Sequence, residues 1–402
     1  MRLGGVLSAV RTPSAAALWV LGAQLLLRLL AIGVLMLTLG PLGQGRVAVA
    51  QLIALVGGTL VAAGLEQALV ATAGQQDQKS GACRVALLHP ALVAGLAVPG
   101  TALLAAAPAV SLQLVVGVAA LAPSVAVRLW AAVALGQSRM VVYALLSVCP
   151  FALYALALCV LLVAGLLDTQ VALIAIPTVY LAVALTAVPW VASTLWAHRK
   201  GPSLRNVTYE TAAALAPGVA AQLANYRLDQ VLIGGFLGPR ELGYYSIAVS
   251  SAEVATLPAT ARAQILLRDA DRRGIRVSMC RSIMKFAPAG LLTAGPFLVF
   301  IEAFAPAYQP SLAAYLLLLP GSVAVGATRI VAAVATARGR GVLASRAALV
   351  ALVMGVPAMT IGIGAAGITG AACAASTTYT VTGLLLFRWW RTEAQRVPAS
   401  PA

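Results

Sequence analysis

"AQLANYRLDQVLIGGFLGPRELG", residues 221–243, has a counterpart near the start of the chain in "AQLLLRLLAIGVLMLTLGPLGQG", residues 23–45. Both open on Ala-Gln-Leu and close on Leu-Gly-Pro-x-x-x-Gly, and Gly238 follows Gly40 by 198 residues, close to half of the 402-residue chain. Other matches keep nearly the same spacing: Cys83-Arg84 against Cys280-Arg281 and Pro123 against Pro320, each 197 residues apart. Several matches at one offset indicate a duplicated half, with 1–200 as one repeat and 201–402 as the other. Each stretch is also mostly hydrocarbon, with one arginine well inside it (Arg28, Arg227).

The whole chain shares that character. It is 61% hydrophobic and 9% charged, with mean hydropathy +0.95. A water-soluble globule could not cover so much apolar surface, so the chain reads as a polytopic membrane protein. A bilayer core takes roughly 20 apolar residues per helix, and on that ruler the sequence divides into twelve spans. Those of the first half are 14–38, 47–71, 85–107, 111–135, 140–165 and 171–195. Those of the second half are 212–237, 243–267, 285–304, 311–335, 342–363 and 366–388.

The cationic residues alternate with this count. One set of loops and span ends holds Lys79, Arg84, Arg139, Arg199, Lys200, Arg205, the run Arg262–Lys285, Arg338, Arg340 and Arg346; the other set holds only Arg46 and Arg240. Lys and Arg are retained on the cytoplasmic side, which predicts both termini in the cytoplasm and residence in the cell's inner or plasma membrane. The same rule accounts for the +16 net charge, so no nucleic-acid partner is expected. The basic loops face membrane lipids with anionic headgroups. The five cysteines form no CxxC pair, and neither His89 nor His198 has acidic or thiol neighbours at ligand spacing. No metal site, disulfide framework or cofactor is therefore expected.

Because each half has an even number of spans, both halves enter the membrane with the same orientation. The expected fold is all-α integral membrane: twelve transmembrane helices as two parallel-oriented six-helix repeats around a central cavity. Transporters built from such repeats bind substrate between the halves and alternate access to it.

Charge inside the spans points to the cargo. A charged side chain at a helix centre costs about 2.5–3.5 kcal/mol on insertion scales. Four arginines are nonetheless there, Arg28, Arg128, Arg227 and Arg329, falling in the first, fourth, seventh and tenth spans as two repeat-related pairs. The interior acids are Glu66, Asp229 and Glu253, with Glu302 at a span edge. A guanidinium keeps its proton and must meet an anion or water, and its fork suits phosphate oxygens. The arginine excess thus points to a phosphate-bearing substrate. Alternatives are snorkelling of Arg128 and Arg329 to the headgroups and structural ion pairs for Arg28 and Arg227. Asp229 is too close in sequence to Arg227 to share its helix face. It is expected to pair with Arg28 or to titrate as a coupling site, and Glu66 and Glu253 to be partnered interior acids. The glycines of "GIGAAGITGAACAAS", 362–376, suit close packing of the last two spans.

"YRLDQVLIGGFLGPRELGYYSIAVSSAE", beginning at Tyr226, resembles the seventh and eighth helices of Wzx-type polysaccharide flippases in the multidrug/oligosaccharidyl-lipid/polysaccharide exporter superfamily. Arg227, Asp229, Gly234, Gly238, Pro239, Gly243 and Tyr244 carry that resemblance. The first-half copy has Gly40, Pro41 and Gly45, with Arg46 in place of the usual aromatic. The resemblance implies a flippase that moves a polyprenyl-diphosphate-linked oligosaccharide to the outer leaflet for cell-surface polysaccharide biosynthesis. It further implies cationic cavity residues at Arg28 and Arg227, and polysaccharide polymerases or glycosyltransferases as candidate partners. Many relatives have fourteen spans, two more than this chain. The alternatives are a cation-coupled drug exporter of the same fold, a membrane glycosyltransferase or polymerase, and a scaffold without transport. The short outer loops leave no room for the catalytic domain an enzyme of that kind carries, so no enzymatic activity is expected.

Overall fold

The computed structural model describes residues 13–62, 64–73, 79–107, 110–197, 205–256, 258–260, 262–263, 288, 294–337 and 341–396. The termini, the arginine-rich stretch 264–287 and parts of the eighth and ninth spans lie outside the described residues.

Among the described residues the regular structure is all helical, in the twelve-span, two-repeat architecture. Pro13–Ala62 carries the first two spans, and Leu65–Ala73 completes the second. Lys79–Ala106 is the third, Leu112–Ala119 with Leu121–Gly136 the fourth, Met140–Val163 the fifth and Thr169–Ala197 the sixth. In the second half, Arg205–Phe236 is the seventh; Pro239–Glu253 and the 3-10 turn Val254–Thr256 begin the eighth. Ala294–Phe304 belongs to the ninth, Pro310–Ala337 is the tenth, and Gly341–Arg396 carries the last two.

Length explains the doubled elements. The apolar stretch Val342–Thr392 has 51 residues, about 75 Å at 1.5 Å per residue, more than twice the thickness of a bilayer core. It has to fold back, and the backbone leaves helical values at Ala366 and Gly367. Beyond that turn the two arms touch at glycine: a methyl group on Gly370 would overlap the Gly362 carbonyl.

The duplication is visible in the backbone. Gly40 has φ 63° and ψ 179°, and Gly238, its partner in the repeat, has φ 89° and ψ −179°. That region is open essentially to glycine alone. The proline that follows each, Pro41 or Pro239, sits where the next helix begins, a position with no N–H partner to lose. Leu-Gly-Pro is thus a turn-and-restart signal used once in each half. Nothing lies within 4 Å of where a Cβ would stand on either glycine, so the conformational preference can be measured by itself. Gly40→Ala and Gly238→Ala are each expected to cost about 1–3 kcal/mol in unfolding curves in detergent. Gly95→Ala, in a helix with equally open surroundings, is expected to stabilise by about 0.5–1 kcal/mol.

The chain divides into two compact units, one of Gly22–Leu223 and one of Ala224–Ala402 with the residues through Leu21. In the first, one apolar cluster gathers Leu69, Val85, Leu129, Trp130 and Val191, and a second gathers Leu35, Ala50, Tyr154, Leu158 and Leu173. In the other, Val331, Val334, Leu343, Leu386 and Trp390 pack together. The outward faces are as apolar as the cores: Leu96 is 80% exposed and Val163 89%, a cost in water and none in lipid.

Candidate functional site

Arg128 and Arg329 play matching parts in their halves. Arg128 donates from Nη1 to Thr59 Oγ1 at 2.8 Å and meets Glu66 Oε1 through Nη2 at 2.6 Å. Thr59 belongs to Pro13–Ala62 and Glu66 to Leu65–Ala73, so this guanidinium fastens together the two pieces of the second span. The break lies at Gly64, φ 79°, where a Cβ would stand 2.5 Å from the Ala212 carbonyl of the seventh span. Arg329 Nη1 donates to Thr260 Oγ1 at 2.6 Å and, at the outer limit of such contacts, to Thr256 Oγ1 at 3.5 Å. Thr256 ends the 3-10 turn of the eighth span. Each threonine spends its own proton on a backbone carbonyl one helical turn back, Thr260 on Thr256 and Thr256 on Glu253, leaving oxygen lone pairs for the arginine. Broken helices at membrane depth need such substitutes for their lost backbone bonds.

The halves differ in where they put their acids. Arg329 has no carboxylate partner among the described residues; it lies over the Tyr226 ring, 5.2 Å from the centroid. In the second half the carboxylate of Glu253 goes to Arg227, Nη2 to Oε1 2.7 Å. The repeat does not carry the acids over: Gln264 stands 198 residues after Glu66, and Leu55 198 before Glu253. Arg28, on the first span, has its guanidinium over the ring of Phe151, 5.7 Å from the centroid.

Asp229 is fully buried and its oxygens are taken within its own half. The Tyr245 hydroxyl donates to Oδ2 and the Gln230 N–H to Oδ1, each at 2.7 Å. Within its own half Asp229 is held by a tyrosine lock between the seventh and eighth spans. At the matching positions of the first half, 198 residues earlier, Ala31 and Val47 belong to one apolar cluster. A polar bond in one half thus stands where a hydrocarbon contact serves in the other. Tyr245→Phe should leave Asp229 short of a donor and cost about 1–3 kcal/mol in unfolding curves in detergent. Tyr308→Phe is the control, since the buried Tyr308 hydroxyl has no hydrogen-bond partner among the described residues; its loss should be close to neutral.

Two residues passed over in the sequence complete the pattern. Tyr180 in the sixth span lies within electrostatic reach of Arg28 and Arg128. Tyr379 in the twelfth, 199 residues later, lies within reach of Arg227 and borders the same pocket as Arg329. Each half therefore holds the same set: an arginine from its first span, threonine from its second, arginine from its fourth and tyrosine from its sixth. Applying the repeat offset to neutral polar residues as well as to charges would have found the tyrosines.

The second-half set borders a small pocket, open on one side. Tyr226, Glu253, Thr256, Ser322, Arg329 and Tyr379 supply its polar lining. Tyr226 meets Tyr379 edge to face, with centroids 5.8 Å apart. The pocket's lining of N–H and O–H donors suits an acceptor-rich group. The Leu-Gly-Pro motif residues lie elsewhere and shape turns. Gly45 and Gly243 are buried beyond those turns, and Tyr244 packs edge to face on Tyr308 while its hydroxyl accepts from Arg240 Nε at 3.3 Å. Among the described residues no group of His, Cys, Asp and Glu is placed to hold a metal ion.

No protein-family model matches the sequence, and neither does any curated protein. Solved structures do match in fold. An inward-facing multidrug resistance MATE family transporter of the MOP superfamily superposes with TM-score 0.66 at 14% identity, over 92% of this chain and 94% of that one. A MATE transporter of Vibrio cholerae gives 0.61 at 15%, over 95% of both chains. A MOP superfamily transporter from Pyrococcus furiosus, for which reverse polarity of the binding pocket suggests a different function, gives 0.58 at 16%, over 95% of this chain and 94% of that one. At such identities the likeness is one of fold.

Proposed function

We propose that this chain is an alternating-access transporter of the cytoplasmic membrane, with both termini inside. Its proposed cargo is a polyprenyl-diphosphate-linked oligosaccharide, carried from the inner to the outer leaflet. The observation that carries this reading is the composition of the repeated set: each half has two guanidiniums and one glutamate inside the membrane, and Arg329 has no carboxylate partner among the described residues. With Asp229 counted, four guanidiniums (Arg28, Arg128, Arg227 and Arg329) face three interior acids (Glu66, Asp229 and Glu253), an excess of positive charge. A diphosphate diester has one negative charge on each phosphate, so the sign of that excess suits the anchor that such sugars share. A lipophilic cation would meet repulsion in the same place. Polysaccharide polymerases or glycosyltransferases would supply or consume such a cargo and are the partners this reading implies.

Export of cationic drugs coupled to an ion is a second reading, favoured by the buried carboxylate of Asp229 and by multidrug transporters that share the fold. Against it, both Asp229 oxygens are occupied by donors of the protein.

Depleting the protein in its own cells separates the two. Lipid-linked oligosaccharide should accumulate in the inner leaflet while susceptibility to cationic dyes stays unchanged. Normal lipid-linked sugar levels with a rise in dye sensitivity would favour the second reading.

A further inference from the structure

We propose that the second-half pocket is a seat for a single phosphate group, and that Glu253 competes with that phosphate for Arg227, so that binding takes up a proton. The proposal rests on the reading above and deepens it by naming the residues that hold the phosphate and a proton that travels with it.

The pocket wall holds unspent donors. Arg329 has five N–H groups, and its contacts among the described residues are made through Nη1 and through the face of the guanidinium. Nε and Nη2 are left without a protein acceptor among those residues, and together they form the edge that grips a phosphate with two parallel hydrogen bonds. Ser322, Tyr226 and Tyr379 line the same pocket, and their hydroxyls donate no hydrogen bond among the described residues. Ser322 and Tyr379 are both buried, at 6% and 8% exposure. A small pocket with this many idle donors is arranged for an acceptor-rich guest.

Glu253 is the acidic group on that wall, and it holds Arg227 at 2.7 Å. The groups within reach of it are Tyr226, Arg227 and Asp229 from the seventh span, Arg329 from the tenth and Tyr379 from the twelfth. A phosphate entering beside an ionised Glu253 would meet a like charge in a medium that screens poorly. The repulsion is relieved when Glu253 takes a proton from water and releases Arg227, which then turns its fork to the phosphate. The first half has no acid at the matching position, Leu55, so this exchange belongs to the second half alone.

Dimethyl phosphate is a suitable probe, because it carries one charge and does not titrate near neutral pH. It would be titrated against the full chain in detergent by 31P NMR between pH 6 and 8, with chloride at matched ionic strength as reference. The wild type should bind more weakly as pH rises, approaching tenfold per pH unit where Glu253 ionises. Glu253→Gln should bind about tenfold more tightly at pH 8 and lose the pH dependence. Arg329→Gln should lose at least tenfold, and Arg329→Lys, which keeps the charge for folding, several-fold. Melting temperatures in the same detergent identify any variant that fails to fold. Wild-type affinity in folded Arg329→Gln, or an unchanged pH slope in Glu253→Gln, would overturn the proposal. If both behave as expected while vesicles holding the chain move no lipid-linked sugar, the seat stands and the cargo reading falls. If sugar is moved while both variants bind dimethyl phosphate as the wild type does, the reverse holds.

Discussion

Arg329→Gln is expected to lower transport of a diphosphate-linked oligosaccharide by about 10- to 100-fold and to leave the amount of folded protein nearly unchanged. The two halves of that expectation have separate origins. Hydrogen bonds to a charged group contribute about 1.5–3 kcal/mol, and each 1.4 kcal/mol is tenfold in rate or affinity, so removing the fork that meets the phosphate accounts for the loss. Folding is spared because the glutamine strands no carboxylate: among the described residues Arg329 is held by Thr256, Thr260 and the Tyr226 ring. Arg227→Gln makes the contrast. It takes from Glu253 its paired arginine inside the membrane, and removing one partner of a buried pair costs several kcal/mol, so its main effect should be on yield and melting temperature. Transport per folded molecule, measured for both variants, distinguishes a cargo contact from a structural one.

The second large effect concerns the first half. Glu66→Ala removes the carboxylate from Arg128, whose guanidinium ties Thr59 to the far side of the break in the second span. A buried pair broken on one side costs about 3–5 kcal/mol. Both side chains here are 28% exposed, and Arg329 shows that threonine alone can hold such an arginine, so about 2 kcal/mol is expected after discounting for screening. The double variant Glu66→Ala/Arg128→Ala should recover most of that, to within about 1 kcal/mol of the parent, since the stranded charge is gone. The four unfolding curves of this cycle measure the coupling directly. A double variant that is worse than Glu66→Ala would mean that Arg128 stabilises the break without its acid.

The architecture was readable because lipid imposes a length. Every expected span with described residues falls on helix, and even the elements longer than a bilayer turn back at the expected span ends, at Gly40 and at Ala366 and Gly367. The repeat was readable for a related reason: a turn that only glycine can make leaves the same three letters in both copies. Pairing partners were not. Which acid faces which arginine depends on how each helix is rotated about its axis, and a hydrophobic run carries little record of that when both the core face and the lipid face are leucine and alanine. The bond from Tyr245 to Asp229, for instance, leaves no trace in the charge pattern. The break at Gly64 was also missed; its cause is close approach of the seventh span's backbone, and a lone glycine in an apolar run gives no sign of what lies opposite. Tyr180 and Tyr379 went unseen because attention to charge skips neutral residues, although their 199-residue separation was there to be read.

Charge surplus inside the membrane is what ties fold to cargo, and a comparison of two cargoes in one preparation tests it most directly. The purified chain would be placed in vesicles that carry, in one leaflet, either a fluorescent polyprenyl-diphosphate disaccharide or a lipophilic cationic dye of similar size, and the appearance of each in the other leaflet would be followed. The account predicts movement of the diphosphate lipid at a rate set by Arg329 and no movement of the cation above that of empty vesicles. Movement of the cation, with the diphosphate lipid left in place, would contradict it.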